Sequence, residues 1–233
     1  MIPSKDPTFA ALLAAESKAL ALLDAIETGG LIVSGRTELA IERNIFTLAA
    51  RDFGVTEHWH DRVVRAGTNT LCIAGETAPD RVIADDDVVF IDLGPVFGGW
   101  EADVGRSYAI GKDSRKHALC ADLLVVFDTV KARFDTKPNI TGAELYSFAH
   151  AEAERRGWLF GGKIAGHLVG EYPYARGDGD QAMRRISPAN TMRMRHPDPA
   201  GQPRHWILEI HLVTPDHAFG GFYERLLEGP LTN

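Results

Sequence analysis

Cysteine is nearly absent: Cys72 and Cys120 are the only two in 233 residues. Two thiols cannot build a disulfide framework, so the expected home is a reducing compartment, the cytoplasm. Long apolar runs are missing as well. None approaches the roughly 18 residues of a membrane span, and no membrane partner is expected. The Ala/Leu-rich stretch from Phe9 to Ile26 carries Glu16, Ser17, Lys18 and Asp24, which a secretory signal has no place for, and it reads as a helix. Basic runs are also lacking. With 25 basic and 32 acidic residues, a net charge of −7 and a pI near 5.7, the chain has no electrostatic footprint for nucleic acid. No internal repeat and no linker interrupts it, so one domain over residues 1–233 is expected.

What is present is an ordinary globular composition, 45% hydrophobic and 24% charged, on a chain long enough to bury a sizeable core. Phe9, Leu12, Leu13, Leu20, Leu23 and Ile26 recur at helical spacing until Gly29-Gly30. A second helix is expected from an N-cap at Thr37 to Gly54, completing an N-terminal helical region over 1–57. A third starts at Asp113 or Ser114 and ends near Phe134. A fourth opens on the capping box Thr141 to Glu144 and closes at Gly157. Extended runs are Val88–Ile91, Lys163–Val169, Trp206–Val213 and Phe222–Leu227. Helices ahead of strands, without regular alternation, predict an α+β fold. Residues 175–204, rich in Pro, Gly, Arg and Asp, read as a long surface excursion. Loops of that length in compact domains are often functional.

Several acids sit where a core should be apolar. Asp92 follows Val88-Val89-Phe90-Ile91, and Asp103 lies eleven positions on, beyond a Gly98-Gly99 turn. A hairpin folded at that turn would bring the two carboxylates together. Glu209 is embedded in Trp206-Ile207-Leu208-Glu209-Ile210, Glu224 precedes Leu226-Leu227, and His167 sits within Ile164–Val169. Any one such acid is commonly a solvated turn residue. Converging, they would repel one another and resist desolvation unless a cation joined them. Oxygen donors with one imidazole suit Mn, Co, Fe or Zn.

Ile91-Asp92-Leu93-Gly94, then Trp100-Glu101-Ala102-Asp103-Val104-Gly105-Arg106, Gly166-His167, Glu209 and Glu224 stand in an order and spacing that resemble the pita-bread metallopeptidases. That group includes methionine aminopeptidase, aminopeptidase P, prolidase and the metal-free creatinase. The resemblance covers about residues 60 to 228, with 58–228 as the expected metal-site core. It implies a single pita-bread domain of two similar α/β halves around a dinuclear cleft. It also implies two divalent metal ions held by Asp92, Asp103 (bridging), His167, Glu209 (also the proton shuttle) and Glu224 (bridging). A small peptide or amide substrate and a homodimer belong to the same expectation.

The chain departs from the pattern at two auxiliary histidines. Gly75 or Ala74 stands in place of the first, and Tyr174, whose hydroxyl could substitute as a donor, in place of the second. Three readings stay open: a dinuclear hydrolase of an Xaa-Pro-type peptide bond, a hydrolase of a small amide or amidine as in creatinase or ectoine hydrolase, and a non-catalytic binding module. Beyond the five ligands, His58 and His60 would share a face on a strand and diverge on a helix. Otherwise they form a solvated segment. His211 would lie on the same strand face as Glu209. Arg184, Arg185, Arg193, Arg195 and Arg204 form either a solvated face or a clamp for an anionic substrate.

Overall fold

The computed structural model describes residues 6–73, 75–174 and 180–229. In chain order these form α1 (Pro7–Thr28), α2 (Glu38–Phe53), β1 (Val63–Ala66), β2 (Val88–Leu93), β3 (Val96–Phe97), β4 (Trp100–Glu101), β5 (Val104–Ala109), α3 (Ser114–Thr136), α4 (Gly142–Arg155), β6 (Leu159–Phe160), β7 (Gly166–Val169), β8 (His205–Val213) and β9 (Gly220–Leu226). The expected α+β class holds.

The helix ends follow their capping chemistry. Asp6 accepts from the Thr8 and Phe9 amides at 3.0 and 3.3 Å, and Pro7 needs no donor partner at the first helical position. Thr37 caps α2 and Gly54 closes it at φ 65°. Asp113, rather than Ser114, caps α3. Thr141 and Glu144 form the reciprocal capping box of α4. No described helix is long and apolar enough to cross a membrane.

The strands form one antiparallel sheet in the order β1-β2-β5-β9-β8-β6, with β7 also paired to β8, and β3 and β4 make a separate two-residue ribbon. Two large apolar cores and a smaller cluster of Leu12, Val169, Ile207 and Leu226 hold the chain together. In the first, α1 and α2 (Leu22, Leu23, Ile26, Ile41, Ile45) pack on Val64, Val89, Ile91 and Val104. In the second, α3 and α4 (Leu123, Phe127, Val130, Leu145) pack on Leu168, Trp206, Leu208 and Ile210. Each half is thus two helices followed by antiparallel strands, and the halves join where Gly105 of β5 faces Glu224 of β9.

Of residues 175–204, 175–179 lie outside the described residues, and most of 180–204 is exposed. Ile186 exchanges backbone hydrogen bonds with Ala165 and Gly166 at 2.7 and 2.8 Å. Ile186, Asn190 and Met194 are buried. The Asn190 side chain donates to the Arg185 carbonyl at 2.8 Å. Through these anchors the segment straps α4 to β7, with the Ala143 amide donating to Asn190 O at 2.7 Å.

Candidate metal centre

The five side chains singled out in the sequence meet in one cavity of about 500 Å³ at the junction of the halves. Strand register explains how. Asp92 on β2 faces Gly105 of β5, and Gly105 faces Glu224, which faces Glu209 of β8. Asp103 immediately precedes β5, beyond a turn whose Gly98 and Gly99 adopt φ 59° and 86°. His167 on β7 lies across from Ile207 of β8. Asp103 is at the centre, 2% exposed.

A sixth group completes the cluster. His60 places Nε2 3.1 Å from Asp103 Oδ1 and 3.4 Å from Asp92 Oδ1. His167 places Nε2 3.0 Å from the other oxygen, Asp103 Oδ2, and 3.6 and 3.8 Å from Glu209 and Glu224. In each ring Nδ1 faces a main-chain carbonyl, Asp61 O at 2.6 Å and Leu168 O at 2.9 Å. Sequence reasoning left His60 undecided between a shared strand face and a solvated segment. Trp59 decides it: its amide donates to Gly94 O at 2.9 Å and its indole to Ala102 O at 3.1 Å, pinning the segment to the residues just after β2 and just before β5. Gly94 is required there, since a Cβ would overlap the His60 ring. A polar-tipped Trp between two histidines was the available signal.

Two sets of ligand-type atoms lie close enough to share a cation: His60, Asp92 and Asp103 in one, Asp103, His167 and Glu224 in the other. The electrostatics agree. Burial pushes Asp92 up to about 6, Glu209 up to about 7 and Glu224 well above the carboxylate range, and neighbouring acids add to each shift. Burial acts on Asp103 in the same sense, but His60 and His167 outweigh it and hold its carboxyl below the usual range. Burial would lower both imidazoles; the carboxylates overcome it and raise His60 to about 10 and His167 to about 9. Asp92 Oδ1 is buried with no hydrogen-bond donor among the described residues. Four carboxylates against two imidazoles, with an orphaned oxygen facing the cavity, fit a divalent cation better than a metal-free interior.

The remaining candidates separate. His211 lines the cavity with Nε2 2.8 Å from the Thr70 carbonyl, beside Glu209 as its strand position implies. His58 packs against Phe46, and burial lowers it to about 4. Tyr174 is not brought to the cavity: its ring covers Gly170 and lies under the Arg184 guanidinium, 4.9 Å from the centroid. Of the arginine group, only Arg185 lines the cavity, while Arg195 stacks on Phe134 at 3.6 Å. Gly75 lines the cavity where the first auxiliary histidine was sought; Ala74 lies outside the described residues.

Two α/β halves sharing one acid-rich cavity define a pita-bread protein. Residues 10–195 match metallopeptidase family M24, and the chain belongs to that family. Among solved structures it is similar to an X-Pro aminopeptidase from Thermotoga maritima (21% identity, TM-score 0.73, covering 98% of this chain and 63% of that one). It is also similar to the prolidase from Pyrococcus furiosus (18%, 0.72, 98% and 65%). The methionine aminopeptidase from Thermotoga maritima matches over almost the full length of both chains (18%, 0.68, 99% and 100%). The chain thus spans under two thirds of the first two relatives. No curated protein matches it by sequence.

Proposed function

We propose that the chain is a dinuclear-metal hydrolase that cleaves an amide or peptide C–N bond close to a free end of a small substrate. Asp92, Asp103, His167, Glu209 and Glu224 would hold two divalent ions, drawn from Mn, Co, Fe and Zn. Such a pair, when bound, lowers the pKa of a water and polarises the substrate carbonyl. Glu209 lines the cavity at the edge of the cluster, placed to carry a proton from the water to the leaving amine. The Asp61 and Leu168 carbonyls, each facing an Nδ1, orient the two imidazoles with Nε2 toward Asp103. The observation that supports this reading most is the convergence of four acids, two buried and two half-buried, on one cavity inside an M24 fold.

A second reading, a small amide bearing its own carboxylate, is favoured by the cavity rim. Arg65, Lys163 and Arg185 line it, and none forms an ion pair with a carboxylate among the described residues. Elsewhere arginines are neutralised: Arg62 by Glu42, Arg81 by Asp87, Arg225 by Glu16. Unpaired cations facing a cavity select an anionic substrate group. The test is turnover of dipeptides, Xaa-Pro peptides, cyclic amides and N-acyl amino acids, each with Mn, Co, Fe or Zn supplied. Release of amine from at least one class is expected. Protein inert toward all of them, with the metals bound, would abandon the hydrolase reading.

A further inference from the structure

The halves of the molecule contribute matching donors. The first supplies His60, Asp92 and Asp103, the second His167, Glu209 and Glu224. In each, an imidazole precedes two acids in the chain, and the acids lie on or immediately beside paired strands. Asp103 sits between the halves with one oxygen toward each ring, 3.1 Å from His60 and 3.0 Å from His167.

Both rings also share the same support. A main-chain carbonyl one residue downstream accepts from Nδ1, which fixes the tautomer and leaves Nε2 with its lone pair toward the cavity. For His60 that lone pair would face Asp103 Oδ1 and Asp92 Oδ1, three acceptors with nothing between them to share. Either the ring carries a second proton or a cation occupies the space. The spacing suits a cation, because these three atoms lie within 4.8 Å of one another. Asp92 Oδ1 otherwise has no donor among the described residues. Gly94 and Trp59 fix the ring in this position, so His60 is placed by the same fold that places the four acids and His167 above.

We infer that His60 is a sixth metal ligand of this chain, so that each of two cations bridged by Asp103 receives one imidazole. The inference rests on the dinuclear reading above and adds a donor to it. It gives both sites mixed nitrogen and oxygen coordination, where the five-ligand set leaves one site with oxygen donors alone.

The test is titration of the metal-free chain with Co²⁺ while ¹H NMR follows the solvent-exchangeable imidazole N–H resonances, which shift far downfield only on rings bound to the ion. With two Co²⁺ bound, two such resonances are expected in the unsubstituted chain. His60→Gln should keep one of them and bind one of its two Co²⁺ ions at least about tenfold more weakly. His167→Gln should keep the other resonance. Two Co²⁺ ions bound with a single shifted resonance would overturn the inference and leave the dinuclear centre standing. So would a His60→Gln chain that binds both ions at unchanged affinity. Failure of the unsubstituted chain to bind Co²⁺ would remove the centre itself and the inference with it. Because the resonance count is made on the unsubstituted protein, it decides the matter even if His60→Gln does not fold.

Discussion

Enclosed carboxylates outside the cavity, such as Glu16 and Glu38, and those inside it behave in opposite ways. Where α1 crosses β9, Glu16 is enclosed but fully answered: Arg225 donates from Nε and Nη2 at 3.2 and 3.0 Å, and the Leu226 amide donates at 2.8 Å. Glu38, at the start of α2, likewise receives the Ala66 amide at 2.5 Å and the Asn69 side chain at 2.9 Å. At the cavity, Asp92, Asp103, Glu209 and Glu224 share two imidazoles and little else. A buried acid whose donors are supplied by the protein is part of the structure. Acids gathered in excess of their donors make a site that awaits positive charge from outside.

The largest expected difference between the regions is in metal content. Asp103→Ala removes the oxygen pair shared by both halves, and elemental analysis should find it fall from two ions per chain to below about one. Retention of both ions would show that Asp103 does not bridge. Glu16→Ala should leave metal content unchanged while costing about 3–5 kcal/mol of stability, because the buried Arg225 guanidinium then loses its carboxylate counter-charge. In a domain of this size that is a fall on the order of 10 °C in Tm. An unchanged Tm would place Glu16 among the incidental pairs.

Chelation should expose the contrast through pH. In the metal-free protein, Asp92 and Glu209 hold protons up to about 6 and 7 against ordinary values of 3.8 and 4.5. His60 and His167 hold theirs to about 10 and 9 against 6.5. The folded chain then binds more protons than the unfolded one, so stability is greatest on the acid side and falls as pH rises from about 5 through 8. Asp103, held low, acts the other way only below its ordinary value of 3.8. Metal-loaded protein should gain stability over the same range, since its ligands must lose protons to bind. Urea midpoints at pH 5, 6, 7 and 8 measure both slopes, and parallel slopes would contradict the assignment. The smallest effect is expected at the rim. Arg185→Met should raise KM for a carboxylate-bearing substrate about tenfold, with kcat nearly unchanged, by removing one charge-assisted contact. An equal change for substrates lacking a carboxylate would argue against that role.

Much of the fold was legible because its signals are local. Thr37, Asp113 and Thr141 capped the helices they were expected to cap, and Val88–Ile91 and Trp206–Val213 fell within strands β2 and β8. The resemblance and the apolar flanks together singled out four acids and a histidine that the fold does gather. Strand β1 went unseen, since four residues give too short a period to read. Tyr174 was drawn to the cavity by counting from His167, but its ring packs on Gly170 and Arg184 instead.

Capping residues, glycines at the turns and apolar runs therefore determined from sequence alone that this is an α+β chain with acids buried on its strands. Those preferences act within a few residues of backbone, where geometry is nearly the same in every protein. The place of His60 was decided only in three dimensions. Its neighbour Trp59 had to reach Gly94 and Ala102, far along the chain, before the ring could face Asp103. Long-range contacts of that kind leave no period in a sequence, because the distance they close is one of folding and not of spacing.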